Sequence, residues 1–340
     1  MQQNKFKILN IIFLISLLFT TVNASQKGKV SGGSDHSMPE WFKESFLEME
    51  DDVEEAKENN KHVMLFMSLN FCPYCTKMLD ESFVEGSNLQ PFIKKNFDVI
   101  GINIKGSKEI VINEDLTLTE KEYAKHLKVQ YTPTVLFLDE NNKVVVRVNG
   151  YRSSKNFKYI LDFVATKEYE NMSLTQYLEK NKNNSLYKLK DNSMFTDTND
   201  LSKIETPLAV IFEDGGCTQC EYLHNTTLQN VDVKKELSKL TVVRVDANSK
   251  QKIITPSGEV TTPKQWAKDL VLNYRPGVVL FDNKKEIIRI DGLLYSFHFK
   301  EIFRFVSGGY YKQYDSFPKY LKPRQVELLE KGIDIDISDK

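Results

Sequence analysis

The four cysteines of this 340-residue chain all fall in two Cys-x-x-Cys pairs, Cys72-Pro73-Tyr74-Cys75 and Cys217-Thr218-Gln219-Cys220. Each pair stands between a strand-like apolar run and a helix-like run, so its first cysteine is expected in the first turn of a helix. Unpaired N–H groups and the positive end of the helix dipole favour a thiolate there. Cys72 and Cys217 are therefore the expected attacking sulfurs. Cys75 and Cys220, three residues deeper on the same face, are placed to resolve a mixed disulfide. Pro73 suits an early helical position, where its missing N–H costs nothing. Tyr74 is the residue expected to be exposed and to touch a partner.

Other uses of such pairs fit less well. A four-cysteine zinc site usually has its pairs about 15–20 residues apart, whereas these lie in separate units, although His224 could add a ligand beside Cys220. A structural disulfide closing so short a loop constrains little chain entropy. Reversible disulfide chemistry accounts for the spacing, and no metal is expected.

The elements that must position these sulfurs occur twice. Cys72 and Cys75 align with Cys217 and Cys220, Ala124 and Leu127 with Ala267 and Leu270, and Tyr131 and Pro133 with Tyr274 and Pro276. Asp139, Gly150, Phe157, Phe163 and Val164 align with Asp282, Gly292, Phe299, Phe305 and Val306, and Tyr177-Leu178 with Tyr320-Leu321. In the first unit Trp41, Phe42, Phe46, Met49, Val53 and Ala56 have amphipathic helical spacing. A buried strand is expected over residues 62–68, a helix from the cysteines to about residue 84, a short helix through Leu89, Phe92 and Ile93, and a strand over 99–104. A hairpin or loop over 105–118 precedes a helix capped by Thr119 with Glu122 at its third position. Strands over 134–138 and 144–148 flank a polar turn, and a helix over 156–164 closes the unit. The second unit repeats the order, with strands over 208–212, 242–246, 277–281 and 287–290. This predicts two α/β domains, each a central mixed sheet flanked by helices. The expected boundaries are 38–180 and 207–325, joined by a linker over 181–206 and followed by a C-terminal tail over 326–340.

Lys5 and Lys7 precede an apolar stretch over residues 8–19, and Val22-Asn23-Ala24 offers small residues before Ser25. Residues 1–24 read as a secretory signal peptide, the apolar run being well short of the roughly 20 residues a membrane span requires. About 316 residues remain, enough for two cores. The net charge is −1 with Lys and Arg scattered, which indicates neither a nucleic-acid groove nor a polybasic membrane patch. An exported, periplasmic protein acting on proteins or small thiols is expected.

Phe71-Cys-Pro-Tyr-Cys after an apolar strand, the long insertion, Tyr131-Thr-Pro-Thr-Val-Leu-Phe-Leu-Asp and Gly150-Tyr151 give the chain its family likeness. It resembles the thioredoxin superfamily, and within it the exported SoxW-type thioredoxin-related proteins, clearly over residues 41–178 and more faintly over 207–321. The resemblance implies two tandem thioredoxin-like folds, with Pro133 and Pro276 as cis-prolines facing the cysteines. It also implies that Thr132 and Arg275 pair their backbones with substrate. A proline at the start of a strand is otherwise tolerated merely as edge punctuation. Thioredoxin keeps a buried Asp six residues before its first cysteine, where this chain has Phe66 and Ile211. The second unit further departs in Thr218, Gly215-Gly216 and Arg275, which could steady a thiolate or simply be solvated.

The function so implied is an exported thiol–disulfide oxidoreductase, a reductase by family leaning, that exchanges disulfides with protein substrates. Its only redox groups would be the disulfides Cys72–Cys75 and Cys217–Cys220, with no other cofactor and with a membrane-bound or soluble thiol as electron donor. The second pair could relay electrons to the first. From a different class comes a thioredoxin-fold binding or chaperone module with little turnover, using the insertions over 105–118 and 248–260, the aromatic run from Tyr295 to Phe305, and Tyr310-Tyr311.

Overall fold

The structure, a computed structural model, describes residues 27–181 and 186–339. The signal segment expected over residues 1–24 lies outside them. The first unit runs α1 (Met49–Glu58), β2 (His62–Ser68), α2 (Pro73–Ser82), α3 (Gln90–Asn96) and β3 (Phe97–Asn103), after a short β1 (Val30–Ser31). It continues through β4 (Glu109–Asn113), β5 (Leu116–Thr119), α4 (Glu120–His126), β6 (Thr134–Leu138), β7 (Val144–Asn149), α5 (Ser154–Ala165) and α6 (Leu174–Asn181). The second unit runs β8 (Leu208–Glu213), α7 (Cys220–Asn225), α8 (Val231–Leu237), β9 (Thr241–Asp246), β10 (Ile253–Ile254), β11 (Val260–Thr261) and α9 (Pro263–Asp269). It ends with β12 (Gly277–Asp282), β13 (Lys285–Ile290), α10 (Ser296–Ser307), α11 (Phe317–Glu330) and β14 (Ile335–Asp336).

Each unit has a four-stranded mixed sheet of the same order, β3-β2-β6-β7 and β9-β8-β12-β13. The central strand pairs parallel with one neighbour and antiparallel with the other, through Met64↔Val99 and Phe66↔Val135 in the first sheet and Ile211↔Arg244 and Val278↔Ile211 in the second. All of β2 is buried because helices cover both faces. Met64 and Phe66 enter an aromatic core with Phe83, Phe137 and Phe157, while Val63, Leu65 and Met67 face Met49, Val53 and Ala56. In β8, Ala209 and Ile211 take one face and Leu208, Val210 and Phe212 the other. The two α/β domains anticipated from the repeat are thus present.

The predicted capping box is formed: the Thr119 side chain accepts from Glu122 N–H while the Glu122 carboxylate accepts from Thr119 N–H. The insertion over 105–118 is a hairpin, β4 against β5, with an irregularity between Val111 and Asn113. Other expectations need correction. The first helix does not include Trp41, Phe42 or Phe46; it starts at Met49, and Phe46 is 96% exposed. Trp41 and Phe42 are instead held by packing, Trp41 Nε1–H donating to Phe83 O at 2.8 Å, so their spacing reflects a shared core.

The polar stretch between the units is packed where it is described. Met194 and Phe195 lie against the second core, and Thr196 N–H donates to Val242 O at 2.7 Å. Helix α11 runs across the boundary expected at residue 325, and β14 beyond it pairs parallel with β1 through Val30↔Ile335. The first and last strands of the described residues are therefore tied to each other. Among the described residues, no helix is long and apolar enough to cross a membrane.

Phe137 is fully buried between Phe97 and Phe157. Phe137→Ala should destabilise the first unit by about 3–5 kcal/mol through lost burial and a residual cavity, read as a shift of its urea midpoint.

Candidate redox sites

The two cysteine pairs occupy equivalent places at the C-terminal ends of β2 and β8, and both are disulfide-bonded, with Cα–Cα separations of 5.2 and 5.6 Å. The antiparallel partners β6 and β12 begin at that same end, which brings the Thr132–Pro133 and Arg275–Pro276 bonds, both cis, to the sheet edge where the cysteines lie. Pro133 and Pro276 are buried and Thr132 half-buried. Pro276 and Gln219 line one small apolar cavity with Tyr222 and Tyr274.

In the first site Cys72 is the N-cap of α2 and Pro73 its first residue. The Cys75 backbone N–H donates to Cys72 Sγ at 3.1 Å. Once the disulfide is reduced, that N–H and the dipole of a ten-residue helix are aimed at the sulfur that must carry negative charge. Both cysteines are buried in the disulfide form, Cys72 at 5% exposure and Cys75 completely.

The second site is built differently, and Cys217 is not in a helix. Helix α7 has only six residues and starts at Cys220, with Gln219 as its N-cap. Thr218 lacks the fixed φ that Pro73 supplies, and Cys217 N–H donates to Asp214 O at 3.1 Å in a turn. The helical thiolate stabilisation expected for Cys217 is therefore absent. Arg275 is buried rather than solvated: its Nε lies 2.9 Å from Asp214 Oδ2 as an ion pair, and its Nη1 donates to Leu272 O and Tyr274 O, both at 2.9 Å. Asp214 Oδ1 in turn accepts from Gly216 N–H at 2.9 Å, so the Arg275 charge braces the loop that carries Cys217.

Tyr74 is the clearest departure from expectation. It is 8% exposed and buried against the second unit, its ring stacked on Tyr295 at 4.6 Å. Its hydroxyl accepts from Tyr295 N–H at 3.0 Å and pairs with His298 Nδ1 at 3.0 Å. Sequence periodicity within one unit carries no information about a contact made by the other. The aromatic that does face solvent beside Cys72 is Phe71, 64% exposed, with φ +59°.

At the second site, Tyr187 and Glu213 escaped the sequence reading. Tyr187, from the joining segment, packs in an apolar cluster with Cys217 and Cys220, and its hydroxyl donates to Glu213 Oε2 at 3.3 Å. His224, considered as a metal ligand, has its Nε2 2.8 Å from Glu213 Oε1. Among the described residues no group of three His, Cys, Asp or Glu side chains is arranged to hold a metal ion. Phe66 and Ile211, which stand where thioredoxin has its acid, are apolar core residues. Their only sequence signal was the apolar run that contains them.

The comparisons with known proteins fit this geometry. The thioredoxin-like domain family matches the chain twice, over residues 49–165 and 194–307, and the chain belongs to that family. Among solved structures it is similar to a thioredoxin-fold protein from Helicobacter pylori, at 26% identity over 36% of this chain and 84% of that one, with a TM-score of 0.31. It is also similar to a DsbH oxidoreductase, at 19% identity over 40% and 88% of the two chains and a TM-score of 0.26. A third is a putative thiol:disulfide interchange protein DsbE from Chlorobium tepidum, at 18% identity over 41% and 96% and a TM-score of 0.26. No curated protein matches the chain. Two thioredoxin-like domains with a Cys-x-x-Cys pair in each fit a thiol–disulfide oxidoreductase at this coarse level.

Burial pushes the His298 imidazole down to about 4, against a weaker upward pull from Asp339. The neutral ring leaves Nδ1 free to accept from the Tyr74 hydroxyl, whose own lone pair takes the Tyr295 N–H. As pH falls through 6.5 the unfolded chain takes up a proton that folded His298 refuses, so stability is lost progressively from 6.5 down to about 4. Thermal melts of His298→Leu should show a smaller drop in Tm between pH 7 and pH 5 than the parent protein, and equal drops would refute the assignment.

Proposed function

We propose that this chain is an exported thiol–disulfide oxidoreductase of the SoxW type that reduces protein disulfides, with Cys72 attacking and Cys75 resolving. The observation that carries the reading is the Cys72 sulfur at the N-cap of α2, receiving the Cys75 N–H. In the reduced protein the Cys72 thiolate attacks a substrate disulfide, forming a mixed disulfide and releasing one substrate thiolate, which takes a proton. Cys75 then gives up its proton and attacks Cys72 Sγ, which forms the intramolecular disulfide and frees the second substrate thiol. Two electrons leave the chain in each cycle, and an external thiol donor returns them. Thr132, ahead of the cis-proline, offers the backbone against which an extended substrate segment would lie, and Phe71 offers an exposed apolar contact beside the reacting sulfur.

The second pair is assigned a subordinate role, as a relay or an auxiliary centre, because Cys217 lacks the helical cap that Cys72 has. Export rests on the charge and length pattern of residues 1–24; amino-terminal sequencing of the mature protein should begin near Ser25.

With a protein disulfide as substrate and a small dithiol as donor, Cys72→Ser should lower kcat/KM by at least about 100-fold, while the double variant Cys217→Ser/Cys220→Ser keeps most of the turnover. Full binding of an unfolded substrate with turnover untouched by Cys72→Ser would instead establish a binding module. Phe71→Ala should raise KM about fivefold with kcat little changed, the mark of a contact made equally in ground and transition states.

A further inference from the structure

We propose that the two redox centres cap one another in the form described here, so that a single opening of the interface between the units exposes both. The inference rests on the function proposed above only in taking the capped surfaces as substrate-facing. The offset that aligns Gly150 with Gly292 and Phe157 with Phe299 also aligns Ser153 with Tyr295 and Asn156 with His298. Tyr74, between the first two cysteines, contacts Tyr295 and His298 of the second unit. Thr218, between the other two, contacts Ser153 Oγ at 3.2 Å and accepts from Asn156 Nδ2 at 2.9 Å in the first. Each motif is thus seated at the first turn of the other unit's final sheet-covering helix, α5 or α10; the helix positions are equivalent, while the motif residues are neighbours in the alignment, Tyr74 matching Gln219 and Thr218 matching Pro73. Such reciprocity is the mark of an isologous contact about an approximate twofold axis.

The residues on that axis are shaped for closure. Arg152 Nη1 donates to Asn149 O and Nη2 to Asp291 O, both at 2.8 Å, and these two carbonyls are themselves repeat equivalents. The same guanidinium lies over the Tyr274 ring at 4.7 Å and 3.2 Å from Asp291 Oδ2. Gly292 has no positive φ to explain its lack of a side chain. A Cβ there would stand 3.2 Å from Asn149 O, 3.5 Å from Gly150 Cα and 3.6 Å from Arg152 Nη1, all in the first unit. The approach of the first unit leaves little room for a side chain at Gly292. A buried, charge-paired guanidinium and a backbone-to-backbone approach are costly to assemble by chance and break together when the units separate. A protein substrate reaching Cys72 must displace Tyr295 and His298 from Tyr74, and the same displacement withdraws Ser153 and Asn156 from Thr218.

The test uses the full, oxidised chain. Dithiothreitol is added, samples are quenched with an alkylating agent over time, and the cysteine peptides are quantified to give a reduction rate for each disulfide. Gly292→Leu, a wedge at the axis, should speed reduction of Cys72–Cys75 and Cys217–Cys220 alike, by about tenfold or more as the open population rises. Acceleration at only one pair, or at neither, would overturn the proposal. Arg152→Met keeps the stem over Tyr274 but removes the bridging donors, and it should move both rates in the same direction; it decides the matter alone if the wedge variant does not fold by circular dichroism. Because dithiothreitol reports access rather than turnover, joint acceleration in a protein that never reduces a protein disulfide would support the capping while sinking the enzymatic reading.

Discussion

Everything at the redox centres depends on the pairing of one central strand with an antiparallel neighbour that starts where it ends. In the first unit β2 delivers the chain to Cys72 at the edge of the sheet, and β6 takes up the chain there immediately after Pro133. Since the register of the two strands is set by apolar side chains buried on both faces, slipping it by one residue would invert the core. The cysteine helix and the proline loop are consequently held together by the whole hydrophobic sheet, although they lie nearly sixty residues apart in sequence. The same construction recurs at β8 and β12.

Within that shared scaffold the two centres diverge for local reasons. Proline after the first cysteine starts a ten-residue helix at once, so Cys72 becomes a cap whose sulfur meets an N–H. Threonine in the same place, following two glycines, lets the chain turn through Asp214 and Gly216 before helix α7 begins at Cys220. The second disulfide is then shielded by Tyr187 from the joining segment, and its loop is pinned by the Asp214–Arg275 ion pair. A charge so engaged is less available to a thiolate, which makes the second centre electrostatically plainer than a residue list would suggest.

The units are joined by more than the segment between them. Lys268 of α9 pairs with Glu179 of α6 at 2.8 Å, and Asn273 meets Thr175 at 2.7 Å. The first and last described strands pair as β1 and β14, and Ser34, which follows β1, bonds Thr76 of the cysteine helix at 2.9 Å. Closure across the repeat axis is therefore reinforced at its periphery, and the first motif is bordered both by the second unit and by the leading segment.

The sequence alone determined the duplicated strand and helix order, the capping box at Thr119, the hairpin insertion, and the position of each cysteine pair between a strand and a helix. These follow from periodicity, turn chemistry and self-similarity, which are local properties written in adjacent residues. Tertiary structure alone decided that Tyr74 is buried rather than exposed, that Arg275 serves Asp214, that Tyr187 covers the second disulfide, and that Phe46 points to solvent while Trp41 anchors to Phe83. Each of these depends on which surface lies opposite a side chain, and opposing surfaces come from residues tens to hundreds of positions away. No spacing rule reaches that far, because the partner is chosen by the packing of complete units rather than by the chain's own repeat.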